Sequence, residues 1–195
     1  YYNKKDSALT ESQKRGFKLF TGKANCGSCH LINDKHALFT DNLFHDTGYG
    51  WMRERKRQYP NEKVLVQVTP DLSFELSHAK VMSVGLPVEA DLGRYEVTEK
   101  PEDRWKFRTS SLRNIAVTMP YMHDGGLPSL AEVINFYDSG GPGHPLQDKR
   151  IQPLNLSKKE RDDLENFLES LTSLNLSCLV AEGRSHDPDN HEIDH

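Results

Sequence analysis

The chain has 195 residues, of which 35% are apolar and 28% charged, with a mean hydropathy of -0.72 and a formal net charge of -4. That length suits one domain of ordinary size, or one with a long insertion, and the apolar share is lean for an interior built of side chains alone. No run approaches the ~18 apolar residues of a membrane span, and charge of both signs, interspersed, excludes the basic surface that a nucleic-acid partner requires.

The opening Tyr1-Tyr2-Asn3-Lys4-Lys5 leads into no apolar run, so a secretion signal is expected to have been removed already. Thr10-Glu11-Ser12-Gln13 is a capping box, and it predicts a helix running through Phe17, Leu19 and Phe20. That helix delivers the chain to Cys26-Gly27-Ser28-Cys29-His30. Cys-x-x-Cys-His is the attachment pattern of c-type haem: two thiols reach the two vinyl groups, and the adjacent imidazole falls under the iron. Chance would supply only about 0.002 such matches in a chain of this composition. Half a zinc site would need a second Cys or His pair at finger-like spacing, and the third cysteine, Cys178, stands alone. A thioredoxin-like pair would follow a strand, whereas the segment before Cys26 reads as helix. A buried porphyrin also accounts for the lean composition.

Residues 31–60 are mixed and polar, and the basic run Arg53 to Arg57 reads as a solvated face. Val64 to Val68 alternates as a short strand, and a small hairpin is expected within 60–80. Residues 98–106 read as a surface loop. Ser129-Leu130-Ala131-Glu132 opens a second helix, with Leu130, Val133, Ile134 and Tyr137 on one face and Gly140-Gly141 as its stop. Gly140 to Pro145 is a turn cluster. Ser157-Lys158-Lys159-Glu160 opens a third helix through Leu164, Phe167, Leu168 and Leu171. Cys178 is either a buried structural thiol or a partner for a cysteine of another chain. Residues 176–195 read as a polar tail rich in His and Asp.

His30 is the expected proximal ligand, and the far side of the iron decides the chemistry: Met raises the potential, an anion favours ferric iron, and an empty site admits peroxide. Candidates are Met119, Met122, His123 and Tyr137, with Met52 and Met82 outside the best-patterned region. Tyr137 lies on the inward face of its helix, which also suits a core Tyr with a hydrogen-bonded hydroxyl.

The run Phe107 to Gly126, with Thr118-Met119-Pro120-Tyr121-Met122-His123-Asp124 at its centre, resembles the bacterial di-haem cytochrome c peroxidase and MauG family. Further parts of the same pattern are Phe39 to Asn42, Phe44 to Gly48, Gly93 to Thr98, Leu130 to Gly141 and the last predicted helix. The resemblance covers roughly 10–172, and it implies the C-terminal haem domain only. The fold it implies is mainly α: a cytochrome c-like haem domain over 1–175, carrying a long irregular insertion at about 50–106 with a short β-hairpin. The position matching the family's distal ligand is Tyr137, which implies His/Tyr ligation and the MauG-like branch. The resemblance further implies calcium held partly by the backbone carbonyls of Thr118 and Pro120. It implies a periplasmic oxidoreductase of peroxidase type that oxidises a partner protein, or draws on an electron-donor protein. The peroxidatic haem, with its catalytic residues, is expected on an N-terminal domain, encoded with this chain or separately. The alternatives are a stand-alone monohaem electron carrier and a Met-ligated peroxidase domain.

Overall fold

The computed structural model describes residues 8–33, 36–58, 63–69, 72–77 and 91–185. The chain divides into two compact units, one of residues 1–41, 110–138 and 154–195, the other of 42–109 and 139–153.

The first unit is helical. Helix α1 spans Glu11–Thr21, and its capping box is formed as expected: the Thr10 hydroxyl accepts from the Gln13 N–H and the Gln13 side chain accepts from the Thr10 N–H. Helix α4 spans Leu130–Asp138, α5 spans Lys158–Glu169 and α6 spans Leu176–Ser185. A second complete capping box, Ser157 with Glu160, starts α5. Helices α1 and α5 pack closely because α1 carries glycine at the crossing: a Cβ on Gly16 would run into the Asp163 carbonyl and lie 2.6 Å from the Phe167 Cβ. Phe20 fills this junction with none of its surface exposed, edge-on to Phe167 at 5.2 Å and to Phe39 at 6.0 Å. Burying a side chain of that size contributes about 2–3 kcal/mol. Leu130 and Ile134 of α4 and Leu164 and Leu168 of α5 complete the core. At the rim of the same crossing, Arg15 forks onto Asp163 through Nε and Nη2, each 2.7 Å from a carboxylate oxygen, and Ser12 and Lys159 join them. These donors, Arg15 foremost, hold the Asp163 carboxyl well below the usual carboxylate range.

Helix α6 lies where the sequence reads as the start of a polar tail. Leu176 is half-buried there, while Val180 and Ala181 are exposed. Residues 186–195 lie outside the described residues.

In the second unit, the strand β1, Phe44–His45, pairs antiparallel with β4, Phe107–Arg108. Helix α2 spans Tyr49–Gln58 and contains the basic run, while the hairpin of β2, Lys63–Thr69, and β3, Leu72–Ser77, forms within 60–80. A single helical turn, α3, spans Tyr95–Thr98. The segment 139–153, which includes the turn cluster Gly140 to Pro145, belongs to this unit and is fastened to β1. The Asp148 N–H donates to the Asp46 carbonyl at 2.8 Å, and His45 and Arg150 both contact the Asp148 carboxylate. Next to this fastening His144 Nε2 lies 2.9 Å from Asp46 Oδ2, both side chains buried. The His144 ring stacks on Trp51 at 5.0 Å and meets the Trp105 edge at 5.5 Å. Among the described residues, no helix is long and apolar enough to cross a membrane.

Candidate functional site

The candidate site is assembled on the first unit. Gly22 ends α1, and Asn25 takes a left-handed conformation, φ 53°, that turns the chain into a 3-10 turn over Cys26–Ser28. Asparagine tolerates that region better than most side chains. The turn closes when the N–H groups of Cys29 and His30 donate to the Cys26 carbonyl, at 3.3 and 2.9 Å. Both thiols and the imidazole therefore issue from one turn. Neither Cys26 nor Cys29 is in a disulfide, and Cys26 packs against the core. Burial, reinforced by the neighbouring Cys29, pushes the Cys26 thiol up to about 12. A redox dithiol needs a lowered thiol pKa; the Cys26 thiol is shifted the other way.

His30 is fixed through its inner nitrogen. Its Nδ1 lies 2.8 Å from the Phe39 carbonyl, which sets the tautomer with the proton on Nδ1 and leaves Nε2 as the lone-pair donor. Phe39 itself has φ 54°, unusual for a bulky residue, with its side chain buried in the core. Two residues of the Phe107 to Gly126 run hold the adjoining backbone. Ser111 Oγ donates to the Leu38 carbonyl at 2.6 Å and Arg113 Nε donates to the Ala37 carbonyl at 2.9 Å.

Tyr137 lies one residue before the end of α4, half-buried, with its ring edge-on to Phe136 at 5.2 Å. The helix end beside it is tied down three ways. The Asp138 carbonyl accepts from Leu154 N–H at 3.0 Å, Oδ1 from Leu156 N–H at 2.8 Å and Oδ2 from Arg161 Nη1 at 3.0 Å. Gly140, φ 81°, then allows the sharp exit, since a Cβ there would lie 2.5 Å from the Pro153 nitrogen. Of the sulfur candidates, Met119 is 61% exposed and Met122 half-buried, while Met52 lies on α2 of the second unit. His123 is exposed, and Met82 lies outside the described residues. Thr118 and Pro120 are exposed on either side of Met119. Tyr121, by contrast, is buried, with its hydroxyl donating to the Ile115 carbonyl at 3.0 Å. Cys178 is exposed on α6.

The donor set fits haem c. It offers two thiols at the right spacing, an imidazole oriented through Nδ1, and half-buried apolar side chains (Ile32, Leu112, Ile115, Ala116, Leu127 and Val133) packed, like Cys26, against the core. Sequence reasoning missed the Phe39 carbonyl, the Ser111 and Arg113 props and the Asp138–Arg161 tie. Backbone acceptors carry no residue signature, so only the 107–126 run pointed near them.

No protein-family model matches the chain. It is 36% identical over 179 residues to a cytochrome-c peroxidase of Pseudomonas sp. (strain SCT), covering 88% of this chain and 43% of that protein. It is 34% identical to the methylamine utilization protein MauG of Methylorubrum extorquens, covering 85% of this chain and 36% of that protein. Among solved structures it matches a MauG-like protein associated with microbial copper homeostasis. The TM-score is 0.63 at 29% identity, over 96% of this chain and 50% of that one. The diheme peroxidase of Burkholderia thailandensis, at 21% identity and a TM-score of 0.57, shares the fold. A helical domain built around a Cys-x-x-Cys-His turn is thus the class that fold and site define. The chain belongs with the bacterial di-haem cytochrome c peroxidases and MauG proteins, a haem c family, and spans less than half the length of the curated relatives named above.

Proposed function

We propose that this chain is the six-coordinate, electron-transfer haem domain of a MauG-like di-haem peroxidase or oxidase, which uses peroxide to oxidise a partner protein. The observation that carries the reading is the 2.8 Å contact of His30 Nδ1 with the Phe39 carbonyl, on the turn that also carries Cys26 and Cys29, neither in a disulfide. In this reading Cys26 and Cys29 hold one haem c as thioethers, His30 is the proximal ligand and Tyr137 the distal one. Bound there, haem c supplies one-electron chemistry, storing and passing on oxidising equivalents.

The chain's own residues then have separable duties. The Phe39 carbonyl accepts a hydrogen bond from His30 Nδ1–H, which fixes the orientation of the ring and strengthens Nε2 as a donor. Tyr137 would hold the iron as its phenolate, since a phenol with an ordinary pKa near ~10 binds as the anion only when a cation displaces its proton. A negative oxygen there would favour ferric iron. The core of Phe20, Phe39 and Ile134 excludes water from the inner side of the site.

The peroxidatic haem and its acid–base group belong, in this reading, to an N-terminal haem domain on the same gene product or a separate chain. The Thr118 and Pro120 carbonyls would contribute to a calcium ion at that interface, oxygen donors being suited to a hard cation. The domain works in the periplasm, with a substrate protein or electron-donor protein as its partner.

An alkaline pyridine haem assay combined with intact mass of the purified complex tests this. The expected result is one covalent haem on this chain and a second haem on an extension or co-purifying chain. One haem in total, with no second haem protein, would make it a stand-alone monohaem carrier instead.

A further inference from the structure

We propose that Ser111 and Arg113 are positioning residues for His30, setting the reduction potential of the haem through a braced strap of backbone at 37–39; the inference rests on haem attachment at Cys26 and Cys29. Three consecutive carbonyls of this strap are each engaged by a side chain. Arg113 Nε donates to Ala37, Ser111 Oγ donates to Leu38, and His30 Nδ1 meets Phe39, at 2.9, 2.6 and 2.8 Å. The Ser111 hydroxyl is used twice, because its oxygen also accepts from the Arg113 N–H at 3.2 Å. The props therefore lock to each other as well as to the strap.

Sequence and conformation explain why props are required. The strap lies between the 3-10 turn and β1 and is part of neither helix nor strand, so side chains, not a ladder, hold its carbonyls. Phe39 has φ 54°, a conformation a bulky side chain does not hold unaided. Its buried ring, edge-on to Phe20, pins one end of the strap to the core, and Arg113 and Ser111 pin the other. With both ends fixed, the Phe39 carbonyl is presented to Nδ1 at one distance and angle. The strength of that contact governs how much electron density the imidazole offers through Nε2, and hence how well ferric iron is stabilised. Releasing the props weakens the Nδ1 hydrogen bond, makes His30 a poorer donor and moves the potential upward.

The test uses the haem-loaded protein carrying this chain. Ser111→Ala, Arg113→Ala and their double variant are compared with the parent by spectroelectrochemical titration and by ferric electron paramagnetic resonance. The expected result is a higher potential and altered g-values, larger in the double variant, with partial return in Arg113→Lys, whose ammonium can still reach the Ala37 carbonyl. Lys158→Ala, on the exposed side of α5, leaves both readouts unchanged. Should the alanine variants fail to load haem, Arg113→Gln and Ser111→Thr carry the same comparison with a donor retained but displaced. Potential and g-values identical to the parent in haem-loaded prop variants would overturn the inference alone. A parent protein that carries no haem on Cys26 and Cys29 would overturn the functional reading with it.

Discussion

His144 and Asp46 are buried against each other, Nε2 to Oδ2 at 2.9 Å, with 1% of either side chain exposed. The Leu146 N–H donates to His144 Nδ1 at 3.3 Å, and the Gly48 N–H to Asp46 Oδ1 at 2.8 Å. With Nδ1 accepting from Leu146, Nε2 is the ring nitrogen that faces the carboxylate. Burial pushes the Asp46 carboxyl up from its ordinary value, against the Gly48 N–H and His144, which lower it. Removing His144 leaves Asp46 Oδ2 buried without its neighbour and takes away the ring stacked on Trp51. We expect His144→Ala to cost about 3 kcal/mol or more. The double variant with Asp46→Ala should lose less than the sum of the single variants, as read from urea unfolding.

The second fastening of the same segment gives a pH dependence. Arg150 donates to both oxygens of Asp148 through its guanidinium and also through its backbone N–H, and with His45 nearby the carboxyl is held at about 2. A depressed carboxyl contributes stability that is fully present above its unfolded pKa and fades as pH falls toward the folded one. The window thus runs from about 4 downward. Asp148→Asn should flatten this acid limb of the stability curve and leave the slope above pH ~6 unchanged, which thermal melts at stepped pH will show.

Gly16→Ala tests the α1–α5 crossing. The added methyl meets the Asp163 carbonyl, which is backbone and cannot swing aside, so the helices must part. A loss of about 2–3 kcal/mol is expected despite alanine's better helix propensity. An unchanged or raised melting temperature would mean that the crossing is looser than described.

For the distal ligand, Tyr137→Phe should alter the ferric visible spectrum, while Met119→Leu should not. The phenyl ring fills the same space without the oxygen, so a spectral change reports ligation rather than packing. The reverse outcome moves the chain to the Met-ligated branch.

Helices α1 and α5 are legible in the sequence because each opens on a capping box and continues at helical spacing, two local signals that agree. The hairpin within 60–80 is legible from alternation. The β1–β4 pair is not, since two-residue strands some 60 positions apart offer no period to read. Nor is the role of Trp51: the run after it reads as a charged face, and only the fold brings its ring onto His144. Cys26, Cys29 and His30 are legible because attachment chemistry dictates residue types at fixed spacing. What braces His30 is not, because a carbonyl is common to every residue and its direction depends on φ and ψ at Phe39.

The backbone passes from one unit to the other four times, after residues 41, 109, 138 and 153. Excising the second unit with a single splice from 41 to 110 would strand 139–153 between α4 and α5. His144 would lose its acid and Asp148 its imidazole neighbour. A minimal version of this domain therefore needs two coordinated deletions, one of 42–109 and one of 139–153.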